Sequence, residues 1–230
     1  MAGEKATRAG TVHAQLRDEI FQGTLHPGQR LRVVELARRF AVSQSVVREA
    51  LTRLSEQGLV DAAPQQGFSV ITLSPTGLNE LTEARMDIEA LILRRSVERG
   101  DLAWEAALVA AHHRLVGTPL VLADGALNNT WFTVHEEFHH ALLLGCGNSR
   151  MLDVATELRD AGNIYMRWSG SVGHDYGRDV AREHRELLEA ALARDADTAA
   201  EVLARHIDRT AAALRPLIES HAEESIAAPR

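Results

Sequence analysis

One signature governs everything beyond Pro75: apolar residues recur at the three-to-four spacing of a helix face through six successive stretches. These run near Leu78–Arg99, Leu102–Val116, Asp124–Leu144, Ser149–Trp168, Tyr176–Arg194 and Thr198–Leu217. Breakers separate them: Gly100-Asp101, Gly117-Thr118-Pro119, Gly145-Cys146-Gly147-Asn148, Gly170 to Gly173, and Asp195-Ala196-Asp197. Amphipathic helices joined by short connections bury their stripes against one another, so residues 75–220 are expected to form an all-α bundle. Pro216 should end or kink the last helix, and 221–230 reads as a flexible tail. Aromatics make up only 4% of the chain, and its richness in Ala, Leu, Arg and Glu favours helices over sheets.

The first third reads differently. Val12, Leu16 and Ile20 mark a short amphipathic helix over Thr11–Gln22, broken by Gly23 and Pro27-Gly28. A second helix fits Val33–Phe40. Ser43 is a good N-cap for a third, which runs to about Gln57 and closes on Gly58. Two β-like runs, Leu59–Ala63 and Phe68–Leu73, flank Pro64-Gln65-Gln66-Gly67, where Gly67 can supply a positive φ. Ser74 then caps the next helix, with Pro75 in its first position. Three short helices and a two-stranded wing describe a winged helix-turn-helix over residues 8–74. The expected fold is therefore mostly α: a small winged head followed by a helical bundle.

Charge and composition narrow the function classes. The chain carries a net −7, yet up to Thr76 nine Lys or Arg face seven Asp or Glu, so a balance of +2 in the head stands against −9 in the remainder. That asymmetry points to nucleic acid at the front and a different partner behind. The single cysteine, Cys146, excludes an intramolecular disulfide and fits a reducing compartment. No signal peptide is visible, and no run approaches the ~20 apolar residues of a membrane span, so a cytoplasmic protein with no membrane partner is expected.

Ser43-Gln44-Ser45-Val46-Val47-Arg48 is the candidate reading element. Small, polar residues in a first helical turn can approach a groove, and the free N–H groups there attract a phosphate. Gln44 can pair with an adenine edge in the major groove, and Arg48, one turn on, can reach guanine or phosphate. Ser43 and Ser45 belong to the same turn. Arg38, with Arg30 and Arg39, and the wing at Gln66 and Gly67 suit backbone contacts, which position without specifying.

Four of the eleven histidines converge by helical phase. His135 and His139 sit four apart on the stripe that also holds Trp131, Phe138 and Leu142. His184 shares a stripe with Leu187 and Leu188, and His206 one with Val202 and Leu203. A lone histidine on an apolar face is usually a hydrogen-bonded core residue. Four turned inward from three helices each need a partner of their own, and a divalent ion supplies one for all. The remaining histidines, His13 and His112 among them, show no such convergence and read as surface or linker residues.

In its first domain the chain resembles the GntR family of bacterial transcription regulators. The resemblance rests on Gly23-Thr24-Leu25-His26-Pro27-Gly28-Gln29-Arg30-Leu31, Glu35-Leu36-Ala37, Val42-Ser43, Val47-Arg48-Glu49-Ala50-Leu51, and Leu54 through Gly58-Leu59-Val60. It departs where the family's Ser-Arg-x-Pro-Val-Arg reads Ser43-Gln44-Ser45-Val46-Val47-Arg48. The bundle is similar to the FCD domain of the FadR-type branch, through Arg85-x-x-Ile88-Glu89, His135-x-x-Phe138-His139, Glu183-His184 and His206-Ile207. That resemblance implies a divalent metal, zinc first with nickel or manganese as alternatives. Its three histidine ligands map onto His139, His184 and His206, and His135 stands where the family carries Asp or Asn. It also implies a homodimer, double-stranded operator DNA as partner, and a small carboxylate metabolite in the metal cavity. Arg85 is the expected clamp for the carboxylate, with Asn163 and Arg167 lining the same cavity.

The resulting expectation is a DNA-binding regulator whose operator affinity answers to an organic acid bound at the metal. Two other readings stand beside it: a metal-dependent hydrolase, and a regulator whose metal is purely structural. The hydrolase reading needs a general base, and Glu136, Glu137 and Glu183 are expected to point away from the histidines.

Overall fold

The computed structural model describes residues 7–63, 67–168 and 178–227. Helix α1 (Arg8–Phe21) starts where the Thr7 side chain accepts from the Gly10 N–H, and it buries Val12, Leu16 and Ile20. Strand β1 (Arg30–Leu31) leads into α2 (Val33–Arg39), which turns through Ala41 into α3 (Gln44–Glu56). Ser43 caps α3 as expected, its hydroxyl accepting from the Val46 N–H, and Gly58 closes the helix at φ 68°. The wing is β2 (Val60–Ala63) paired antiparallel with β3 (Gly67–Val70), Val60 opposite Val70. β3 also pairs with β1, giving a three-stranded sheet ordered β1-β3-β2. Two residues are too few to show an alternating pattern, so β1 was invisible in the sequence.

The bundle comprises α4 (Pro75–Arg99), α5 (Leu102–Val116), α6 (Asn129–Leu144), α7 (Ser149–Trp168), α8 (Val180–Leu192) and α9 (Ala196–Ala227). Ser74 caps α4 with Pro75 at its first position, and Asp101 caps α5. α4 and α9 pair antiparallel: the Arg215 guanidinium donates to Asn79 Oδ1 at one end, and Arg94 pairs with Asp197 at the other.

Two boundaries differ most from expectation; the other shifts are of a few residues, α1 starting at Arg8, β3 ending at Val70 and α8 starting at Val180, with the expected start at Tyr176 outside the described residues. α6 begins at Asn129 rather than Asp124, because Asp124 Oδ1 accepts from the Ala126 N–H and Gly125 takes φ 84°, which closes a turn bridged by Val121 and Leu127. Local turn chemistry outweighs the helical phase there. Pro216 neither ends α9 nor limits it to Leu217; the helix continues to Ala227. Burial explains this, since Ala211, Leu214 and Ile218 on either side of the proline are all sunk in the bundle core, which offsets the lost backbone bond.

The two cores meet along α7. Ile164, fully buried, belongs to the apolar cluster of the winged head, packed with residues such as Leu16, Leu51 and Val70, while its neighbours Tyr165 and Met166 belong to the core of the bundle.

Candidate functional site

The head presents outward the residues expected to read DNA. Ser43, Gln44, Ser45 and Arg48 are exposed on the first turns of α3, whose other face buries Val47, Ala50 and Leu51. Ser43 and Ser45 hydroxyls lie 2.8 Å apart, so the turn is ordered by its own side chains. Arg38 and Arg48 are exposed and have no ion-pair partner among the described residues, which leaves both free for phosphate or base edges. Arg39 differs: it pairs with Glu19 and lies over the Phe40 ring, so its expected role as a backbone contact is corrected to a tie between α2 and α1. Gly67 opens β3 at φ 87° and is exposed, while Gln66 lies outside the described residues.

In the bundle the four predicted histidines do converge. His135, His139, His184 and His206 are all buried, and one ring nitrogen from each lies within 4.8 Å of the others. The His139 and His184 Nε2 atoms are 3.3 Å apart. Two ligands about 2.05 Å from a tetrahedral zinc ion are separated by roughly the same distance. His206 Nδ1 is 2.8 Å from Glu183 Oε2. A carboxylate only accepts, so Nδ1 carries the proton and Nε2 keeps its lone pair for a ligand. Arg178 Nη2 also comes within 3.2 Å of that Nδ1, but it has better acceptors in Glu183 Oε2 at 2.6 Å and the His206 carbonyl at 3.0 Å. The buried Nδ1 atoms of His135 and His139 have no hydrogen-bond partner. Such a donor set, all neutral nitrogen with its second atoms partly unsatisfied, fits a borderline divalent cation.

Electrostatics keeps the rings neutral. Burial lowers the pKa of all four histidines. His139 and His184 fall well below the ordinary value, each depressed further by the neighbouring His135, and His206 falls to about 4. Glu183 behaves oppositely: burial pushes its pKa up, but hydrogen bonds from His206, Arg178 and Arg209 outweigh this and hold it well below the usual carboxylate range.

The expectation that Glu136 and Glu183 point away from the histidines is therefore corrected. Glu183, at 3% exposure, reaches across from the first turn of α8 to orient His206 on α9. Glu136 lines the same cavity, bound by Arg159 at 3.0 Å. Glu137 does face outward, towards Arg114. His13 and His112 are corrected too: His13 is buried and bonds Gln57, and His112 is half-buried against Phe138.

A cavity of about 350 Å³ opens in front of three of the rings; His184 lies behind them, against Phe138. Arg85 lines it as predicted, donating Nε to Glu89 at 2.6 Å while its Nη end sits over Gly162, where any Cβ would lie only 2.6 Å from Nη1. Asn163 lines it as well. Arg167 does not. It faces a second cavity, of about 480 Å³, between α1, α6 and α7, and its guanidinium lies over the rings of Phe21 and Phe132. The helical phase explains the difference, because Arg167 shares a face with Asp160 and Ile164, the residues of α7 that meet the head.

Sequence reasoning missed Arg159 and Arg178. Arg159 is 4% exposed and joins Glu89 to Glu136. Its position one turn before Asn163 was the available signal. Arg178 had none, since it precedes α8 and acts through contacts with Glu183, Thr210 and the His206 carbonyl.

The model of bacterial regulatory proteins of the gntR family matches residues 8–70, and that of the FCD domain matches 80–209. The chain is 34% identical over 203 residues to the uncharacterized HTH-type transcriptional regulator BphR of Paraburkholderia xenovorans, covering 87% of this chain and 82% of that one. It is 30% identical over 195 residues to the HTH-type transcriptional repressor GlaR of Escherichia coli, covering 84% and 89%. The solved structure of E. coli McbR/YncC superposes with a TM-score of 0.74 at 22% identity, covering 90% of this chain and 97% of that one, which supports the fold. These relatives are transcription regulators rather than enzymes, and among the described residues no helix is long and apolar enough to cross a membrane. A winged head matched by the gntR model, joined to a bundle matched by the FCD model, makes this chain a DNA-binding transcriptional regulator of the GntR family with a C-terminal FCD domain.

Proposed function

We propose that operator affinity is set by a small organic acid bound beside a divalent metal in the bundle, in a homodimer that reads a palindrome. The observation that carries this reading is the buried four-histidine cluster opening onto a cavity with Arg85 at its wall. His135, His139, His184 and His206 would hold the ion, zinc by the borderline character and near-tetrahedral spacing of an all-imidazole set. When bound, the metal supplies a positive Lewis-acid anchor for a carboxylate. Arg85 keeps both Nη groups available to meet the same carboxylate, and Glu89 fixes its orientation. Glu183 is fully engaged by His206, Arg178 and Arg209, so it positions a ligand ring and is not available as a general base.

Transmission to the head runs through α7. Arg159 and Asn163 line the cavity, whereas Asp160 pairs with Arg17 of α1 at 2.5 Å and Ile164 enters the core of the head. Filling the cavity would shift α7, and with it the spacing of two reading helices. Ser43, Gln44, Ser45, Arg48 and Arg38, with the wing at Gln66 and Gly67, would make the DNA contacts.

The test is a thermal-shift screen of organic acids with and without chelator, paired with fluorescence anisotropy on a palindrome from the protein's own promoter region. Stabilisation that needs both metal and acid, together with a salt-dependent operator affinity that the acid changes, is the expected result. Metal content that survives both His139→Ala and His184→Ala would exclude the ligand set. Metal lost with the acid response intact would make the metal structural only.

A further inference from the structure

The cavity is chemically two-sided, and its axis follows from the antiparallel register of α4 and α9. The Asn79–Arg215 bond and the Arg94–Asp197 pair place the start of α4 beside the far end of α9. Arg85 and His206 therefore lie at one depth, and Leu78, Leu81, Ala211 and Leu214 lie at another, all lining the same cavity. Seven residues of helix separate Leu78 from Arg85, about 10 Å.

At the histidine end positive charge is already matched. Arg85 pairs with Glu89, Arg159 with Glu89 and Glu136, and Arg178 with Glu183, so the three guanidiniums that line the cavity face three carboxylates; Arg209, the further partner of Glu183, is exposed and does not line it. No surplus cation is left there for a second or third acidic group beyond what a bound ion brings. Hydroxyl donors are satisfied as well: Thr82 bonds the Leu78 carbonyl at 2.6 Å, and Thr210 bonds the His206 carbonyl while accepting from Arg178. A polyol would find few groups to pair with. The opposite end offers only hydrocarbon.

From this we infer that the effector is a monocarboxylate with a hydrocarbon body, alkyl or aryl, and not a polycarboxylate or a sugar acid. Its carboxylate sits at the histidine cluster and Arg85, and its apolar body runs towards Leu78, Leu81 and Leu214. A cavity of about 150 Å³ is enough for benzene, so about 350 Å³ accommodates a ring or a medium-length chain together with its carboxyl group. The inference rests on the reading of an acid bound at the metal, and it adds the shape and polarity of that acid.

Calorimetric titration of the full-length, zinc-loaded protein with acetate, butyrate, hexanoate, octanoate and 3-phenylpropionate, beside citrate and gluconate, tests it. Affinity should rise roughly fourfold for each methylene added until the apolar end is filled, with citrate and gluconate binding weakly. Leu81 is only half-buried, so Leu81→Asn should fold; it should flatten the chain-length dependence and leave acetate affinity unchanged. Affinity independent of chain length, or citrate or gluconate binding more tightly than octanoate, overturns the inference but leaves an acid at the metal. If no acid of either group binds the zinc-loaded protein, the acid reading itself falls and this inference with it.

Discussion

The reading head and the bundle solve opposite problems with the same helical material. Among the described residues the head buries one polar side chain, His13, satisfied by Gln57, beneath an apolar core that runs from Val12 to Val70. The bundle buries eleven, including four histidines, two glutamates and Arg159. Buried ionisable groups cost stability unless they are matched. The head has no need of them, because its task is to hold a rigid surface outward. The bundle keeps several of them, His135, His139, His206 and Arg159, at the wall of a cavity, where an incoming ion or acid can be matched against them, so it is the half whose stability a ligand can change.

The largest effects come from truncating each core. Leu51→Ala in the head should cost about 2–5 kcal/mol and Phe138→Ala in the bundle about 3–5 kcal/mol. Leu51→Ala should abolish operator binding and spare metal uptake. Phe138 packs edge-on against His139 and His184 and tilted against His112, so its loss should weaken metal uptake as well. Calorimetric melting with parallel metal analysis checks both. If either substitution melts the whole chain in one transition, head and bundle are a single cooperative unit and the contrast fails.

Next in size is Glu183→Gln, which keeps the shape and removes the charge that orients His206. Metal affinity should weaken 10- to 100-fold in competition with a chelating dye, with operator affinity unchanged. Unaltered metal affinity would leave Glu183 a mere core ion pair.

Acid should then separate the two halves. Each cluster histidine has a folded pKa below its unfolded value of about 6.5, so between the two the unfolded chain binds more protons. Stability of the metal-stripped bundle is therefore complete above about pH 6.5 and falls as the pH drops towards the folded values, about 4 for His206. Glu183 and Glu136, held well below the usual carboxylate range in the fold, add to the loss only below about pH 5, where the carboxyls of the unfolded chain take up protons. The melting temperature of stripped protein should drop by several degrees from pH 7 to pH 5, and bound zinc should suppress the drop. A flat profile in stripped protein would mean the rings are charged or solvated in the fold.

The elements with a repeating phase or a local signal were legible: Ser43, Gly58 and Ser74-Pro75 mark boundaries the structure keeps, and the histidine stripes converge because a helix places i and i+4 on one side. What failed to show is what depends on a neighbouring element. β1 exists only because β3 lies beside it, and α9 passes Pro216 only because α4 covers its flanks. Glu183 reads as outward on its own helix and turns inward because His206, Arg178 and Arg209 meet it from elsewhere. Arg167 failed for a related reason: its phase places it with the head, a surface absent from any single-helix projection.

The smallest expected effect on stability tests the link between the halves. Arg17 and Asp160 form a partly exposed pair joining α1 to α7, so Arg17→Gln should cost under about 1 kcal/mol and leave the melting temperature nearly unchanged. Metal and acid affinities should also hold, since Arg17 lines only the second cavity and not that of the histidines. What should shrink is the factor by which the acid changes operator affinity, because α7 would move against the head with one tie fewer. Ile164→Val, which loosens the same seam by a single methylene at about 0.5–1.5 kcal/mol, should act in the same direction. Both variants are measured by operator titrations with and without saturating acid. An undiminished ratio in both would mean that α7 does not carry the signal.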